Sequence, residues 1–261
     1  MYYIVIGSSR GLGAALVDEL LEKGADQVIG VSRTKREYLE FHEKRLATDR
    51  YRYIELDITS PKCEEDLISV CAELPHEPLC VIFNAALQGT DVTKDHTLNY
   101  QVFEEVNRIG ITGFYNVIGA VQGHLLTCGG MFVGISCIGA LIPPVFAPRV
   151  AYPSSKAYLD MVLRCLRVLW RGKVKVVTVR LGHMHDATHA SMRGVLTYSN
   201  AAKKIIQSIS GQRIPNEINY PLSYTIMYRY IFAMLPDSVY VWLMRLLLII
   251  RNFVKKKPAD V

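Results

Sequence analysis

The feature that most constrains the fold is an alternation of short apolar runs with longer amphipathic stretches. Six runs predict strands, at Tyr2–Ile6, Gln27–Val31, Tyr51–Leu56, Leu79–Phe83, Gly130–Ile135 and Val174–Arg180. The stretches between them predict helices over 11–23, 61–73, 99–126 and 151–170. Most runs are apolar on both faces, as expected for parallel strands that helices cover on both sides. We therefore expect an α/β fold, in which a single domain is built on a Rossmann-like, doubly wound parallel sheet.

The composition is that of a globular protein, because 50% of the residues are hydrophobic and 21% are charged. The basic residues behind the net charge of +6 are scattered and form no long run interleaved with aromatics, which argues against nucleic-acid binding. The six cysteines form no CxxC pair, as is typical of reduced thiols in a cytoplasmic protein. A strand begins at once, without a basic region or cleavage site before it, so we expect no signal peptide.

A glycine-rich loop follows the first predicted strand and opens the first predicted helix. In "IVIGSSRGLGAALVDEL" the glycines are Gly7, Gly11 and Gly13. Without side chains, these positions let the backbone turn tightly and approach a pyrophosphate, which the positive end of the helix would attract. The spacing is GxxxGxG rather than GxGxxG. The loop therefore indicates dinucleotide binding, with a plain strand-to-helix turn as the simpler alternative.

The end of the second predicted strand bears on the choice of cofactor. NAD-binding proteins usually place an acid here, whereas an arginine accommodates the 2′-phosphate of NADP. Ser32 and Arg33 occupy this position, and no acid follows before Glu37. Arg10 in the glycine loop would reach the same phosphate. The pattern favours NADP(H) over NAD(H), the alternative being that these basic residues only solvate a helix start.

Tyr152 and Lys156 lie four residues apart in a predicted helix, and hence on one helical face. An unperturbed tyrosine, with a pKa near 10, is a poor acid–base group at neutral pH. A neighbouring ammonium group, together with an oxidised nicotinamide ring, would lower that pKa and make the tyrosine an effective proton donor and acceptor. An exposed surface pair is the other interpretation of the spacing.

Together these features resemble the short-chain dehydrogenase/reductase family, from Gly7 to about Asp186. In that resemblance Asp57 contacts the adenine, and the turn Asn84–Ala86 shapes the cofactor site. Asn107 corresponds to a helix asparagine whose distorted backbone holds a water in a proton relay. Ser136 corresponds to the serine that orients the substrate.

The resemblance implies reversible hydride transfer between NADP(H) and a carbonyl compound or secondary alcohol, in a homodimer or homotetramer. The implied catalytic residues are Asn107, Ser136, Tyr152 and Lys156. The implied cofactor-binding residues are Gly7, Ser9, Arg10, Gly11, Leu12, Gly13, Ser32, Arg33, Asp57, Ile58, Asn84, Ala85, Ala86, Tyr152, Lys156, Gly182 and Met184. An NADP-binding sensor or scaffold without turnover, and a redox epimerase of lipid-linked sugars, are the alternatives.

The stretch "RLGHMHDAT" departs from the family pattern. Leu181 replaces a proline, and Asp186 stands where a threonine near the nicotinamide carboxamide is expected. Thr188 or the backbone amide of Met184 would take over that contact. The histidines in this stretch, His183, His185 and His189, have a spacing compatible with zinc, but the family chemistry needs no metal and we expect none.

The substrate pocket is expected to be lined by "ALIPPVFAPRVAY", which ends at Tyr152, and by the loop 183–200. Both stretches are mostly apolar. They favour a fairly apolar ketone or aldehyde, or a lipid-linked substrate.

The chain ends in a hydrophobic segment outside this pattern. We expect the NADP-binding and catalytic domain to span 1–221, with "EINYP" as a seventh strand, and a helical extension to span 222–261. The apolar run Val239–Val254 contains two arginines and is shorter than the roughly 20 residues that span a bilayer. Residues 238–257 therefore predict either a helix lying on a membrane surface or a helix packed within the protein or a dimer.

Overall fold

The structure is a computed structural model that describes residues 1–33, 49–142, 149–182, 184–185 and 196–255. Its strands are β1 Tyr2–Ile6, β2 Gln27–Ser32, β3 Tyr51–Glu55, β4 Leu79–Phe83, β5 Gly130–Cys137, β6 Val174–Leu181, β7 Met184–His185, β8 Leu196–Thr197 and β9 Glu217–Tyr220. Strands β7 and β8 form a separate short ladder. The other seven form one parallel sheet in the order β3-β2-β1-β4-β5-β6-β9. The predicted parallel sheet is confirmed, including the seventh strand.

Helices connect the strands. They are α1 Gly11–Glu22, α2 Cys63–Ala72, α3 Tyr100–Asn107, α4 Gly113–Cys128, α5 Ala151–Leu169, α6 Tyr198–Ile209, α7 Leu222–Ile226 and α8 Asp237–Lys255. The helix predicted to start at 61 begins two residues later, because Ser60 makes a turn in which its carbonyl accepts the amide of Cys63 at 3.0 Å. The helix predicted over 99–126 is interrupted by a π-helical turn, Arg108–Thr112, between α3 and α4.

The helices cover the sheet on both faces. Leu67 of α2, Phe114 of α4 and Leu163 of α5 belong to the core on one face. Leu16 of α1 and Ile205 of α6 belong to the core on the other. Every residue of β4 is buried, which explains why its sequence is apolar throughout rather than alternating. The predicted doubly wound arrangement is therefore correct.

The order of the strands reverses between β1 and β4. In an open parallel sheet of this kind, the loops on the two sides of the reversal separate at the carboxyl ends of the strands and leave a crevice. The glycine-rich loop follows β1, and the turn Asn84–Ala86 follows β4. The topology thus brings these two predicted cofactor-binding stretches to the same edge of the sheet.

The last part of the chain packs beside β9. Helix α7 continues into a π-helical turn, Met227–Ile231, and a short 3-10 turn, Phe232–Met234, before α8. Arg229 pairs with Glu217 of β9, and Glu217 also pairs with Arg180 of β6 at 3.1 Å. In the described part of the chain no single helix is long and apolar enough to cross a membrane. The helical pieces Met227–Met234 and Asp237–Ile249 pass that test only together, with a bend of 115° between them.

Candidate functional site

The glycine-rich loop is packed so closely that larger residues would not fit. Gly7 has a φ of +83°, and a Cβ added to it would lie 2.7 Å from the Cα of Ala85. A Cβ on Gly13 would lie 1.9 Å from the carbonyl oxygen of Gly7. The side-chain amide of Asn84 donates to that same carbonyl at 2.9 Å. The turn after β4 therefore fixes the loop after β1, and both glycines are required by contact with backbone.

Positive charge lies at the end of β2. Arg33 follows this strand and is exposed. Asp57, after β3, accepts hydrogen bonds from the amide of Thr59 at 2.9 Å and from its hydroxyl at 2.8 Å. Burial alone would raise the pKa of Asp57, but these hydrogen bonds and the charges of Arg33 and Arg108 outweigh it and lower the pKa. Arg33 thus lies close enough to Asp57 to act on it electrostatically.

A cavity of about 930 Å³ opens at the carboxyl ends of β1, β4, β5 and β6. Its volume is at the upper end of the range for cofactor and small-molecule sites. Ten of the predicted site residues line it: Arg10, Gly11, Leu12, Asn84, Ala86, Ser136, Tyr152, Lys156, Gly182 and Met184. The structure therefore joins the glycine loop and the predicted tyrosine–lysine pair in one wall.

Other predicted residues do not line the cavity. They are Gly7, Ser9, Gly13, Ser32, Arg33, Asp57, Ile58, Ala85 and Asn107. Gly7, Gly13 and Ala85 shape the loop from behind through the contacts described above. The side chain of Ile58 belongs to the core, and its backbone carbonyl accepts a hydrogen bond from the side-chain amide of Asn116 at 2.9 Å. Binding roles for these residues remain predictions.

Tyr152 lies in the first turn of α5, with its hydroxyl 3.4 Å from the side-chain amide nitrogen of Gln88. Burial raises the pKa of this tyrosine, and the neighbouring Cys137 raises it further. The hydrogen bond from Gln88 and the charge of Arg149 oppose the rise without cancelling it. In the chain alone, desolvation of the phenolate therefore outweighs the nearby charges, and the lowered pKa expected with an oxidised nicotinamide stays a prediction.

Lys156 is one turn further along α5 and is almost fully buried. Its ammonium donates a hydrogen bond to the carbonyl of Ile135 at 2.7 Å and lies 5.9 Å from the centre of the Tyr152 ring. Burial lowers the pKa of Lys156 to about 8, against weaker opposing effects of Cys137 and Asp160. The pair is therefore not an exposed surface pair. Both members are held in the protein interior, where burial disfavours the charged form of each.

Two predicted catalytic residues have buried polar atoms that find no hydrogen-bond partner among the described residues. These atoms are the hydroxyl oxygen of Ser136, at the end of β5 in the cavity wall, and the side-chain oxygen of Asn107, where α3 meets the π-helical turn. A Cβ on Gly110 in that turn would lie 2.7 Å from the Cβ of Ser155, so the turn packs tightly against α5. A buried oxygen without a hydrogen-bond partner lowers the stability of the folded protein. Such atoms are common in sites where a ligand supplies the missing hydrogen bond.

Asp91 is a site residue that the sequence analysis missed. Its buried carboxylate accepts hydrogen bonds from the amides of Val150 at 2.8 Å and Ala151 at 2.6 Å. A negative charge at this end of α5 satisfies amides that have no partner within the helix and is attracted by the helix dipole. Asp91 therefore holds the start of the helix that carries Tyr152 and Lys156. The partners are too far apart in sequence for any local pattern to reveal this contact.

Further cavity residues also escaped the sequence analysis. They are Leu87, Gln88, Ile135, Cys137, Ile138, Gly139, Pro153, Leu181, Tyr220, Pro221 and Tyr228. The cavity wall also contains Arg149, Leu196, Tyr198 and Asn200, which belong to the two stretches predicted to line the substrate pocket. Arg149 donates to the side-chain oxygen of Gln88 at 3.4 Å, which links two of these residues beside Tyr152. For two of the missed residues the sequence did contain a signal, because they lie close in the chain to predicted site residues. Gln88 follows closely on the Asn84–Ala86 turn, and Cys137 follows Ser136.

Part of the predicted substrate loop lies outside the described residues. This applies to His183, Asp186, Thr188 and His189, and to residues 143–148 of the predicted pocket lining. Of His185 only the backbone, in β7, is described. Within the described ranges, no group of three or more His, Cys, Asp or Glu residues is arranged to hold a metal ion.

Comparison with known proteins agrees with the geometry. The family model described as short chain dehydrogenase matches residues 2–194. An uncharacterized oxidoreductase of Saccharomyces cerevisiae is 23% identical over 90% of this chain and 91% of its own length. Glycine betaine reductase ATRR of Emericella nidulans is 25% identical over 84% of this chain, which spans only 17% of that protein.

Among solved structures, a short chain dehydrogenase from Burkholderia cenocepacia J2315 in complex with NADP superposes with a TM-score of 0.74. The match covers 93% of this chain and 96% of the other, at 20% identity. At that identity the likeness shows the fold alone.

Proposed function

Since the chain belongs to the short-chain dehydrogenase family, we propose that it is an oxidoreductase that transfers hydride reversibly between NADP(H) and a carbonyl compound or secondary alcohol. One observation carries the proposal: Ser136, Tyr152 and Lys156 line the same cavity as the glycine-rich loop. A fold alone does not establish a function, so the proposal rests on these side chains and their surroundings.

The residues present fit a dinucleotide. The backbone contacts of Gly7 and Gly13 hold the glycine-rich loop tightly, so that Gly11 and Leu12, at the start of α1, lie in the cavity wall where a pyrophosphate would bind. Arg10 and Arg33 would hold the 2′-phosphate, and Asp57 with the backbone of Ile58 would contact the adenine end. Lys156, Gly182 and Met184 would hold the nicotinamide end. When bound, the nicotinamide supplies or accepts the hydride.

Tyr152 acts as the general acid and base in this proposal. Its raised pKa keeps the phenol protonated at neutral pH, which is the form needed to donate a proton to a carbonyl oxygen during reduction. The Ser136 hydroxyl, which has no partner among the described residues, donates a hydrogen bond to the same oxygen. The charged form of Lys156 stabilises the phenolate left after proton transfer, and Asn107 holds the water that returns the proton.

The cavity wall supports a fairly apolar or lipid-linked substrate. Beside the catalytic residues it carries Leu87, Ile138, Leu196 and Tyr228. These apolar side chains favour substrates with hydrocarbon around the reacting carbonyl, because burial of apolar surface contributes about 25 cal/mol per Å². Turnover of apolar ketones and aldehydes in preference to small charged ones is the expected specificity.

The test is NADPH oxidation in the presence of a panel of ketones and aldehydes, followed by absorbance. Tyr152→Phe should lose about 10²–10⁴-fold in kcat while still binding NADPH, because only the proton donor is removed. Tyr158→Phe is the matched control: this tyrosine is on the same helix, is 37% exposed and does not line the cavity. Turnover that survives in Tyr152→Phe would contradict the assigned role. NADPH binding without turnover in the wild-type protein would favour a sensor or scaffold.

We also propose self-association, a cytoplasmic location and peripheral contact with a membrane. Exposed apolar side chains on α4 and α5, among them Tyr115 and Met161, support a homodimer or homotetramer. All six cysteines are free thiols, which supports a reducing compartment. Light scattering on the purified protein tests the oligomer, with a monomer as the contradicting result.

A further inference from the structure

The C-terminal segment, defined here as Leu222–Lys255, exposes more large apolar side chains per residue than the rest of the described chain. Ten of the twenty exposed large hydrophobic residues among the described residues lie in it: Leu222, Ile226, Tyr230, Ile231, Met234, Val239, Val241, Trp242, Leu246 and Ile249. Scattered exposed hydrophobics need no explanation, but a cluster of this density marks a surface that another phase or molecule covers.

Helix α8 shows which side of the segment faces outward. Tyr240 and Met244 point toward the protein, and Met244 is only 7% exposed. Trp242 and Ile249 are each 64% exposed, and Arg245 lies between them on the same outward face. The spacing of three and four residues places these three side chains in one row along the helix. Tryptophan and arginine beside aliphatic residues are typical of a helix at a membrane interface.

The charge of the segment complements an anionic surface. Its sequence contains four basic residues, Arg229, Arg245, Arg251 and Lys255, and one acid, Asp237. Arg229 is already paired with Glu217. A second copy of the chain in a symmetric contact would bring one Arg245-bearing face against another, whereas anionic lipid headgroups would attract both the arginines and the lysine.

The same segment reaches the cavity. Tyr228 forms part of the cavity wall. Its ring packs against Phe232 with centroids 5.6 Å apart, and Phe232 packs against Tyr240 of α8 at 6.4 Å. A continuous row of aromatic rings therefore leads from the wall of the cavity to the inner face of the helix whose outer face is exposed.

From these contacts we propose that the C-terminal segment docks the protein on an anionic membrane surface, and that an apolar carbonyl substrate enters the cavity from that surface. This deepens the proposed oxidoreductase function and rests on it. The helix lies along the interface, with Trp242 and Ile249 among the acyl chains and Arg245 at the phosphates. The bend of 115° before α8 suits a segment that lies on one leaflet rather than one that crosses the bilayer.

The first test is sedimentation of the full chain with vesicles of phosphatidylcholine, with and without phosphatidylglycerol. We expect binding to the anionic vesicles and at least a tenfold loss in the double variant Trp242→Ser/Ile249→Ser. Val168→Ser/Leu169→Ser is the matched control, because these side chains are 77% and 76% exposed on α5, outside the segment. The control should bind as the wild-type protein does.

The two tryptophans give an independent readout. Trp170 is buried, at 3% exposure, whereas Trp242 is 64% exposed. Lipids with brominated acyl chains should therefore quench the emission of Trp242 when the protein binds. Quenching that is absent from protein sedimented with vesicles would contradict the placement of α8 in the interface.

Activity assays separate this inference from the function on which it rests. With a water-soluble ketone, the Trp242→Ser/Ile249→Ser variant should turn over like the wild-type protein. With an apolar ketone dissolved in anionic vesicles, it should lose at least tenfold. Failure of wild-type turnover with every ketone would overturn the proposed function, while vesicle binding would still be measurable. A dimer that dissociates in the double variant, without vesicle binding in the wild-type protein, would show that this face meets a second copy and would overturn the inference.

Discussion

The glycine-rich loop and the C-terminal segment both follow a strand of the sheet and both contribute to the cavity wall, yet they are built in opposite ways. In the loop, an added Cβ on Gly13 would come within 1.9 Å of backbone, so the protein itself dictates each residue. In the C-terminal segment, Trp242 and Ile249 are each 64% exposed and contact little of the protein. Packing within the protein determines the residues of the glycine-rich loop. In our proposal, contact with a membrane surface determines those of the C-terminal segment.

A buried group of ion pairs centred on Arg180 gives the largest expected effect on the free energy of unfolding. Arg180 is 2% exposed and pairs with Asp160 at 2.6 Å and with Glu217 at 3.1 Å. Arg180→Met should lower the free energy of unfolding by about 3–5 kcal/mol, because it leaves two largely buried carboxylates with less compensating charge. Urea denaturation followed by circular dichroism measures the loss.

Arg229 of the C-terminal segment is partly exposed and pairs with the same Glu217. Arg229→Met should cost at most about 1 kcal/mol, since a solvent-screened pair contributes little. Equal losses in the two variants would mean that the C-terminal segment is as integral to the folded core as β6, and would contradict its proposed role as an outward-facing surface.

A methyl group in the glycine-rich loop gives the next largest effect. Gly13→Ala must displace the Gly7 carbonyl or the helix start, and a shift of about 1 Å in a binding site can cost about 10²-fold in kcat/KM. Gly123→Ala is the matched control, because its Cβ would meet nothing within 4 Å in α4. The control should leave kcat/KM unchanged and stabilise the helix by about 0.5–1 kcal/mol. Steady-state kinetics measures kcat/KM in both variants. An unchanged kcat/KM in Gly13→Ala would show that the loop tolerates the methyl group and would contradict the prediction.

The pH dependence of activity tests the interior position of Lys156. Burial lowers its pKa from 10.5 to about 8, so the charged form that stabilises the phenolate disappears above that pH. We expect kcat/KM for reduction to fall about tenfold per pH unit above this point. Lys156→Arg, which stays charged, should move the falling limb to higher pH at whatever activity it retains. A wild-type profile that is flat from pH 7 to pH 10 would contradict the assignment.

The lowered pKa of Lys156 also makes the stability of the folded protein depend on pH. Between pH 8 and 10.5 the unfolded chain binds a proton on Lys156 that the folded chain does not bind. Stability contributed by this residue therefore rises with pH across that window, and the full cost of burying the charge is present below it.

The smallest expected effect on ligand binding concerns cofactor choice. Arg33→Ser should weaken NADPH binding by about tenfold and leave NADH binding unchanged, because only NADPH has the 2′-phosphate and a charge-assisted hydrogen bond contributes about 1.5–3 kcal/mol. Lys23→Ser, at an exposed position outside the cavity wall, controls for the loss of one positive charge. A loss of affinity for both cofactors would mean that Arg33 attracts negatively charged cofactors in general and does not recognise the 2′-phosphate.

The sequence was sufficient wherever one local pattern determined the outcome. Strands apolar on both faces predicted the sheet, and the four-residue spacing predicted that Tyr152 and Lys156 meet. The sequence was not sufficient where residues far apart in the chain act on the same group. The Asp91 carboxylate that holds α5 comes from a segment 60 residues away, and the tyrosine pKa depends on whether burial or the ammonium dominates. The π-helical turn after Asn107 likewise depends on how Gly110 packs against Ser155.

The most direct test of the central claim is a titration of the purified protein with NADPH and NADH, followed by nicotinamide fluorescence. We expect saturable binding of both reduced cofactors, with NADPH bound more tightly, and unchanged NADPH affinity in Tyr152→Phe. A preference for NADH would overturn the role of Arg33 and leave the redox function standing. Binding of neither cofactor would contradict the proposed oxidoreductase function.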